Sequence, residues 1–184
     1  MVNYVRPTKE KKWQLWNNMK TRCYNPNYHQ TRPGYADCTI CDEWLDDKKR
    51  FYGWADRNFY MIEGEPTVEL DKDILVRGNK LYSPDTCIFV PKRINDLFTH
   101  VNGYTDNGLP TGVVYSKKTG KYMAVISIDR KRTPLGFFET PEEEFAKYKR
   151  HKEAEIIHVA DTYKDLIPEQ LYRAMVTWDV QACA

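Results

Sequence analysis

The chain has 184 residues, room for one domain or two small ones, and its formal net charge is only +2. Hydrophobic residues make up 41%, enough for a core, yet no apolar run approaches the roughly 18 residues that a membrane span needs. The charged N-terminus lacks a signal-peptide pattern. We therefore expect no membrane association and a cytoplasmic location.

Residues 8 to 23 have the spacing of an amphipathic helix. Its apolar residues recur every three or four positions: Trp13, Trp16, Met19 and Cys23. Side chains at this spacing share one face of a helix. The pattern predicts that these four residues face a core.

The next segment, 25–37, is rich in Asn, Pro and Gly and is predicted to be a loop. Asp42 is a candidate N-cap for a second helix that runs from Glu43 to about Arg57. The apolar side of that helix would consist of Trp44, Leu45, Phe51 and Trp54.

A compact strand, turn, strand and helix are predicted over 68–98. The first strand ends in the acidic cluster Asp71-Lys72-Asp73, and Gly78-Asn79 marks a turn. The second strand covers 87–90, and Pro91 then suits the first turn of a helix. The polar groups of such a unit can hold one divalent metal, although a small packed hairpin has the same pattern.

The segment 99–110 has the composition of a linker, and short strands follow it. We predict strands over 112–116, 121–128 and 135–138, with a turn over 129–134. Thr140 and Glu143 have the spacing of a capping box, so a helix should begin there and reach about residue 160. A last helix is predicted over 168–178.

These elements predict an α+β fold in two parts. An N-terminal part with helices and the ββα unit covers 1–100, and a βββα part with a C-terminal helix covers 108–184.

The charge is unevenly distributed along the sequence. From 99 to 136 there are six basic residues against two acidic ones, and acidic residues dominate after that. A nucleic acid responds to the local charge and not to the total. The basic residues are Lys117, Lys118, Lys121, Arg130, Lys131 and Arg132.

Several motifs resemble those of phage-encoded HNH endonucleases, in particular a subgroup with a C-terminal DNA-binding module. The motifs in the N-terminal part are RCYNPNYHQ (22–30), CTICDEWL (38–45) and LDKDILVRGNKLYSPDTCIFVP (70–91). Those in the C-terminal part are GVVYSKKTGKYMAV (112–125) and LGFFETPEEEFAKY (135–148).

The resemblance implies a set of catalytic residues. Asp71 matches the family's acidic metal ligand and Asn95 matches the ligand on its helix, with Mg²⁺ or Mn²⁺ as the metal. Asp73 is a further oxygen ligand candidate, since side chains two apart on a strand share a face. Thr86 occupies the family's middle polar position.

Lys72 stands where the family has its catalytic histidine. A lysine is protonated at neutral pH, and the neighbouring carboxylates would favour that charged form. Lys72 therefore suits a phosphate contact, or a cation that stabilises the transition state, better than a base.

The cysteines have two interpretations. Cys38 and Cys41 form a CxxC pair, which Cys23 and Cys87 would complete as a structural zinc site, with His29 as an alternative fourth ligand. Alternatively, all are buried free thiols, as is usual for cysteines of a cytoplasmic protein.

The basic tail resembles the Apetala/ethylene-response-factor type of DNA-binding domain, in which a three-stranded sheet enters the major groove. The resemblance implies that the six basic residues of the tail contact the phosphates of double-stranded DNA. The alternative is that this segment is a solvated hairpin whose turn lysines have no role in binding.

The sequence thus favours an HNH-type DNA endonuclease, homing or nicking, in the cytoplasm of a host cell if a phage encodes it. Two alternatives remain open. The protein either binds DNA without cleaving it, or binds another protein, for instance to counter a host defence, through the acidic helix after 140.

Overall fold

The computed structural model describes residues 1–98, 108–128 and 131–182. The predicted linker therefore lies largely outside the described residues, as do Arg130 and the first two residues of the predicted turn 129–134. Within the described ranges the fold is α+β, with seven α-helices and a three-stranded antiparallel sheet. The coarse fold class is confirmed.

The chain divides into two compact units. Unit 1 contains Met1–Asn95 and Lys164–Leu171, and unit 2 contains Asp96–Tyr163 and Tyr172–Ala184. The segment 164–171, placed by the sequence in the C-terminal part, thus belongs to unit 1.

Five α-helices lie within the first 98 residues. Thr8 caps α1 by accepting a hydrogen bond from Lys11 N. The helices of this half are α1 (Lys9–Tyr24), α2 (Pro26–Thr31), α3 (Asp42–Asp46), α4 (Lys48–Asn58) and α5 (Lys92–Phe98), and a 3-10 turn covers Pro33–Tyr35.

Two predictions about this half were wrong. The segment 25–37 contains a helix because the Asn25 side chain caps it, accepting hydrogen bonds from Asn27 N and Tyr28 N. The helix expected from Glu43 is two helices, because Asp47 has an extended backbone and caps α4.

The core of unit 1 is aromatic. Rings contact each other in a chain from α1 through α3 and α4 to strand β4 (Ile88–Pro91), with centroids 5.0–6.2 Å apart. The residues in this chain are Trp16, Trp44, Phe51, Trp54 and Phe89. Trp13 and Leu45, both predicted to face the core, are instead 56% and 42% exposed, and Leu15 is buried on α1.

The strands of unit 1 pair in two small sheets. Strand β1 (Thr39–Ile40) runs parallel to β3 (Leu81–Tyr82), and β2 (Val68–Asp71) runs antiparallel to β4. Helix α5 begins directly after β4, so β2, β4 and α5 follow one another in the predicted order.

Unit 2 contains the three-stranded sheet in the order β5-β6-β7. The strands are β5 (Val113–Ser116), β6 (Lys121–Ile128) and β7 (Lys131–Phe138). The prediction for β6 was correct to the residue, whereas β7 begins four residues earlier than predicted.

Helix α6 (Pro141–Tyr163) packs against this sheet, over Ala124 and Ile126 of β6. Thr140 Oγ1 accepts the hydrogen bond of Glu143 N at 3.3 Å, as a capping residue does. Glu144, expected on a solvated acidic face, is fully buried. The last helix, α7, covers Glu169–Val176.

Candidate functional site

Strand β2 presents two carboxylates on one side. Val68 and Leu70 are buried, whereas Glu69 and Asp71 are half-buried. Because successive side chains of a strand point to opposite faces, Glu69 and Asp71 project from the same face of the β2–β4 ribbon.

Asp71 shapes the turn that follows its strand. Its Oδ1 accepts hydrogen bonds from the backbone N–H groups of Asp73 and Ile74, both at 2.7 Å. Burial raises the pKa of Asp71 above its ordinary value, and these two hydrogen bonds oppose the shift. One carboxylate oxygen is therefore committed to the backbone.

Asn95 of α5 contacts β2 from the helix side. Its Nδ2 donates a hydrogen bond to Glu69 Oε2 at 2.6 Å. The sequence analysis missed Glu69, although the alternation of the strand already placed it on the face of Asp71. Among the described residues, no hydrogen bond to the amide oxygen of Asn95 is seen.

Lys72 points in the opposite direction, into unit 1, and is only 4% exposed. Its Nζ donates to Asp73 Oδ1 at 2.6 Å and to the carbonyl oxygen of Asn79 at 2.8 Å. It also lies 5.8 Å from the ring centroids of Tyr35 and of Tyr82.

Burial lowers the pKa of Lys72, but the hydrogen bond and charge of Asp73 outweigh burial and hold the pKa above its ordinary value. Lys72 is thus a buried ammonium that cannot accept a proton at neutral pH. A phosphate contact needs an accessible ammonium, so that prediction is not favoured by this environment.

Thr86, at the family's middle polar position, also makes local hydrogen bonds. Its hydroxyl donates to the carbonyl oxygen of Leu81 at 2.6 Å and lies 2.9 Å from Ser83 Oγ. These contacts hold the loop between β3 and β4.

The four cysteines of the predicted zinc site are free thiols, and Cys23, Cys38 and Cys87 are buried. Burial raises the pKa of Cys23 and of Cys87 to about 12, so both are protonated at neutral pH. His29, the alternative ligand, contacts the carbonyl oxygen of Arg22 at 2.8 Å.

Across the described ranges 1–98, 108–128 and 131–182, no three His, Cys, Asp or Glu side chains form a group that could hold a metal ion. Zinc binding stays a prediction without structural support.

A divalent metal with oxygen ligands fits β2 and α5 better. Asp71 could offer its second carboxylate oxygen, Glu69 a second carboxylate, and Asn95 its amide oxygen. Mg²⁺ binds through a few carboxylate and carbonyl oxygens and keeps several waters. Asp73, predicted as a ligand, instead forms the ion pair with Lys72.

A cavity of about 260 Å³ lies beside this face, between α1 and β2. Its polar lining includes two cations and one carboxylate: Lys11, Arg22 and Glu69.

In unit 2 the predicted DNA contacts lie at two ends of the sheet. Lys117 and Lys118 are exposed in the turn between β5 and β6, and Lys131 and Arg132 are exposed at the start of β7. The eight residues of β6 separate the two groups by about 23 Å at ~3.3 Å per residue. Lys121 pairs with Glu139 at 2.5 Å.

The face of this sheet away from α6 carries apolar residues between the two basic ends. Met123 pairs across the strands with Phe137, which is 52% exposed. An apolar face between two groups of cations suits a duplex, which offers base edges between two rows of phosphates.

Comparisons with models of protein families, with curated proteins and with solved structures gave no match to this chain. Among the described residues, no helix is long and apolar enough to cross a membrane. Function must therefore be argued from the residues and their geometry.

Proposed function

We propose that this protein is a metal-dependent DNA endonuclease of the HNH kind, which hydrolyses a phosphodiester bond with one divalent cation. The observation that supports the proposal most directly is the hydrogen bond from Asn95 to Glu69 beside Asp71. It brings the polar group of α5 to the carboxylate face of β2, as a metal centre between a strand and a helix requires.

In this proposal Asp71, Glu69 and Asn95 hold the metal. Mg²⁺ or Mn²⁺ bound there would stabilise the departing oxygen of the scissile phosphate. The two backbone hydrogen bonds fix the orientation of the Asp71 carboxylate, and Asn95 fixes that of Glu69. Positioned ligands of this kind need little rearrangement when substrate binds.

Lys72 has a structural role in this proposal. Its ammonium ties Asp73 to Asn79 and so closes the loop after β2. The proton of the attacking water would then pass to bulk water, because Lys72 cannot accept it and Glu69 and Asp71 serve as metal ligands in this proposal.

A second candidate function is DNA binding without cleavage. The buried Lys72 favours it, because the position of the family's general base contains a group that cannot accept a proton. Both candidates share the basic sheet of unit 2 as the part that holds the duplex.

The test is a nicking assay on supercoiled DNA with Mg²⁺ or Mn²⁺. We expect wild-type protein to nick in a metal-dependent manner and Asp71→Ala to lose at least a factor of about 100, the range of a positioned catalytic group. DNA binding in EDTA should be unchanged by this substitution.

Asp85→Ala is the matched control, since Asp85 is an exposed aspartate of the same unit. It should nick like the wild type. A wild-type protein that binds DNA but never nicks it would leave the second candidate, and nicking that survives in Asp71→Ala would refute the proposed site.

A further inference from the structure

Helix α1 has an exposed side that nothing in the candidate site uses. Its buried side consists of Leu15, Trp16, Met19 and Cys23. Next to that side, Lys9 and Lys20 are exposed, Trp13 is 56% exposed and Tyr24 is 43% exposed.

These four residues form one stripe along the helix. At about 100° per residue, Lys9, Lys20, Trp13 and Tyr24 lie within an arc of about 60°. We call this set the basic–aromatic stripe. At 1.5 Å per residue its two lysines are about 16 Å apart along the axis, which equals about five base-pair rises of duplex DNA.

The other cations of α1 are engaged inside unit 1. Lys11 donates to Thr67 Oγ1 at 3.3 Å, Lys12 pairs with Asp56 at 2.8 Å, and Arg22 donates to Tyr82 Oη at 3.5 Å. The side chains of Lys9 and Lys20 make no hydrogen bond or salt bridge with any described residue, although Lys9 interacts electrostatically with the neighbouring Glu10. Their charge is therefore available to a partner.

The aromatic members are suited to contact. Tyr24 Oη accepts a hydrogen bond from Ile40 N at 3.0 Å, which holds the ring in place while its face stays in solvent. Trp13 is the most exposed of the five tryptophans, since Trp16, Trp44 and Trp54 are at most 7% exposed and Trp178 is half-buried. A rigid aromatic group is large and amphipathic, and loses little entropy on binding.

Charge identifies the partner. Residues 1–24 contain six basic and one acidic side chain, a formal charge of +5, whereas the whole chain carries +2. The remaining 160 residues therefore carry −3. A partner drawn to α1 must be strongly anionic, and a nucleic acid backbone carries about one charge per 1.7 Å of duplex.

We propose that the basic–aromatic stripe of α1 is a contact surface for the phosphate backbone of duplex DNA, with Lys9 and Lys20 on phosphates and the rings of Trp13 and Tyr24 against sugars. The inference deepens the proposed function, because it assigns to unit 1 a substrate contact of its own. Phosphate contacts position a duplex without reading its sequence, so the stripe contributes affinity that does not depend on the sequence.

The test measures binding of full-length protein to a short labelled duplex in EDTA at several salt concentrations. Each phosphate contact adds about 0.9 to the slope of log K against log salt. The double variant Lys9→Ala/Lys20→Ala should lower that slope by about two and the affinity at about 0.1 M salt by tenfold or more.

The matched control is Lys48→Ala/Lys49→Ala on α4, which removes the same charge from exposed positions of the same unit. It should leave the slope within one unit of the wild type. Equal slopes for the Lys9/Lys20 variant and the wild type would overturn the inference, and so would equal losses in the two double variants.

A second readout follows Trp13 itself. The part of the iodide-quenchable fluorescence that disappears in Trp13→Phe comes from Trp13. Duplex DNA should protect this part of the fluorescence from iodide in the wild type. Emission of Trp13 that stays fully quenchable in the presence of saturating DNA would also overturn the inference.

The outcomes separate this inference from the proposed function. A protein that nicks DNA while the Lys9/Lys20 variant keeps its salt slope refutes the stripe alone. A protein that shows the expected slopes in EDTA but never nicks with metal refutes the endonuclease proposal alone.

Discussion

Glu144 shows how strongly one residue of a charged run can depart from its neighbours. It follows two exposed glutamates on α6 yet is fully buried. Its Oε1 accepts the hydrogen bond of Val114 N at 3.4 Å, and its Oε2 has no partner among the described residues. Burial raises the pKa of Glu144 to about 7, while the hydrogen bond from Val114 opposes the rise.

This raised pKa has a definite sign for stability. The folded protein keeps the Glu144 proton up to about pH 7, whereas the unfolded chain releases it near pH 4.5. The unfolded state then binds fewer protons in between, so the free energy of unfolding falls as the pH rises from about 4.5 to about 7. Above about pH 7 the buried carboxylate of Glu144 is charged, and the full free-energy cost of burying that charge lowers the stability.

We therefore predict that Glu144→Gln stabilises the protein at about pH 8 by about 3–4 kcal/mol, at ~1.4 kcal/mol per pKa unit, and by much less at about pH 5. Urea unfolding at the two pH values measures the difference. Glu142→Gln, at an exposed position of the same turn, should show no such pH dependence. An equal effect of Glu144→Gln at both pH values would contradict the prediction.

The burial of two other residues also differs from what the sequence predicts. Lys72 is buried and Trp13 is exposed, the reverse of what their chemistry and spacing predict. Lys72 is accepted inside because Asp73, a backbone carbonyl and two aromatic rings satisfy its ammonium. A charge is tolerated in the interior when it is paired and hydrogen-bonded.

At the scale of elements, the contact of α6 with the sheet depends on one glycine before β5. Gly112 has φ +86°, and its carbonyl accepts the hydrogen bond of Val125 N at 2.8 Å. A Cβ at this position would lie 2.3 Å from Cδ2 of Tyr148, a buried residue of α6. The ring occupies the space that only glycine leaves open.

We predict that Gly112→Ala destabilises the protein by about 2–5 kcal/mol, from about 1–2 kcal/mol of left-handed backbone strain and about 1–3 kcal/mol of overpacking. Thermal unfolding followed by circular dichroism measures the loss. The control is Gly120→Ala, which shares the positive φ of +69° but faces open space, and should cost only the first contribution. Equal losses would show that Tyr148 moves away freely.

Elements with a strong local pattern were predicted well. Helix α1, strand β6 and helix α6 were placed to within a few residues, because 3.6-residue and two-residue periodicities and capping residues act over a few positions. The single helix expected over 43–57 was wrong because the apolar spacing continues across the break, whereas the break itself depends on the backbone at Asp47.

At the scale of the whole molecule, positive charge is concentrated in separate places. Residues 1–24 carry +5, and the sheet of unit 2 has one basic pair at each end of β6, about 23 Å apart at ~3.3 Å per residue. The small net charge of the chain therefore says little about its affinity for nucleic acid. Counterion release depends on local contacts.

We predict that the two basic pairs of unit 2 act independently on DNA binding. Lys117→Ala/Lys118→Ala and Lys131→Ala/Arg132→Ala should each lower the salt slope by about two, and their combination by about four. Anisotropy titrations of a labelled duplex in EDTA measure this. Lys147→Ala/Arg150→Ala on α6, the helix behind the sheet, should leave the slope unchanged, and a loss of similar size there would assign the effect to total charge alone.

The sequence by itself determined the α+β class and the order of β5, β6, β7 and α6, since these follow from periodicity and capping. The family resemblance suggested Asp71 and Asn95 as candidate ligands, whereas α2, β1, β3 and the break between α3 and α4 were not predicted. Only the tertiary structure decided which polar groups meet. Asn95 bonds to Glu69, 26 residues away along the chain, whereas Lys72 turns inward to Asp73 and Asn79. Such pairs depend on how β2, β4 and α5 pack, and burial is set by that packing, which local pattern does not encode.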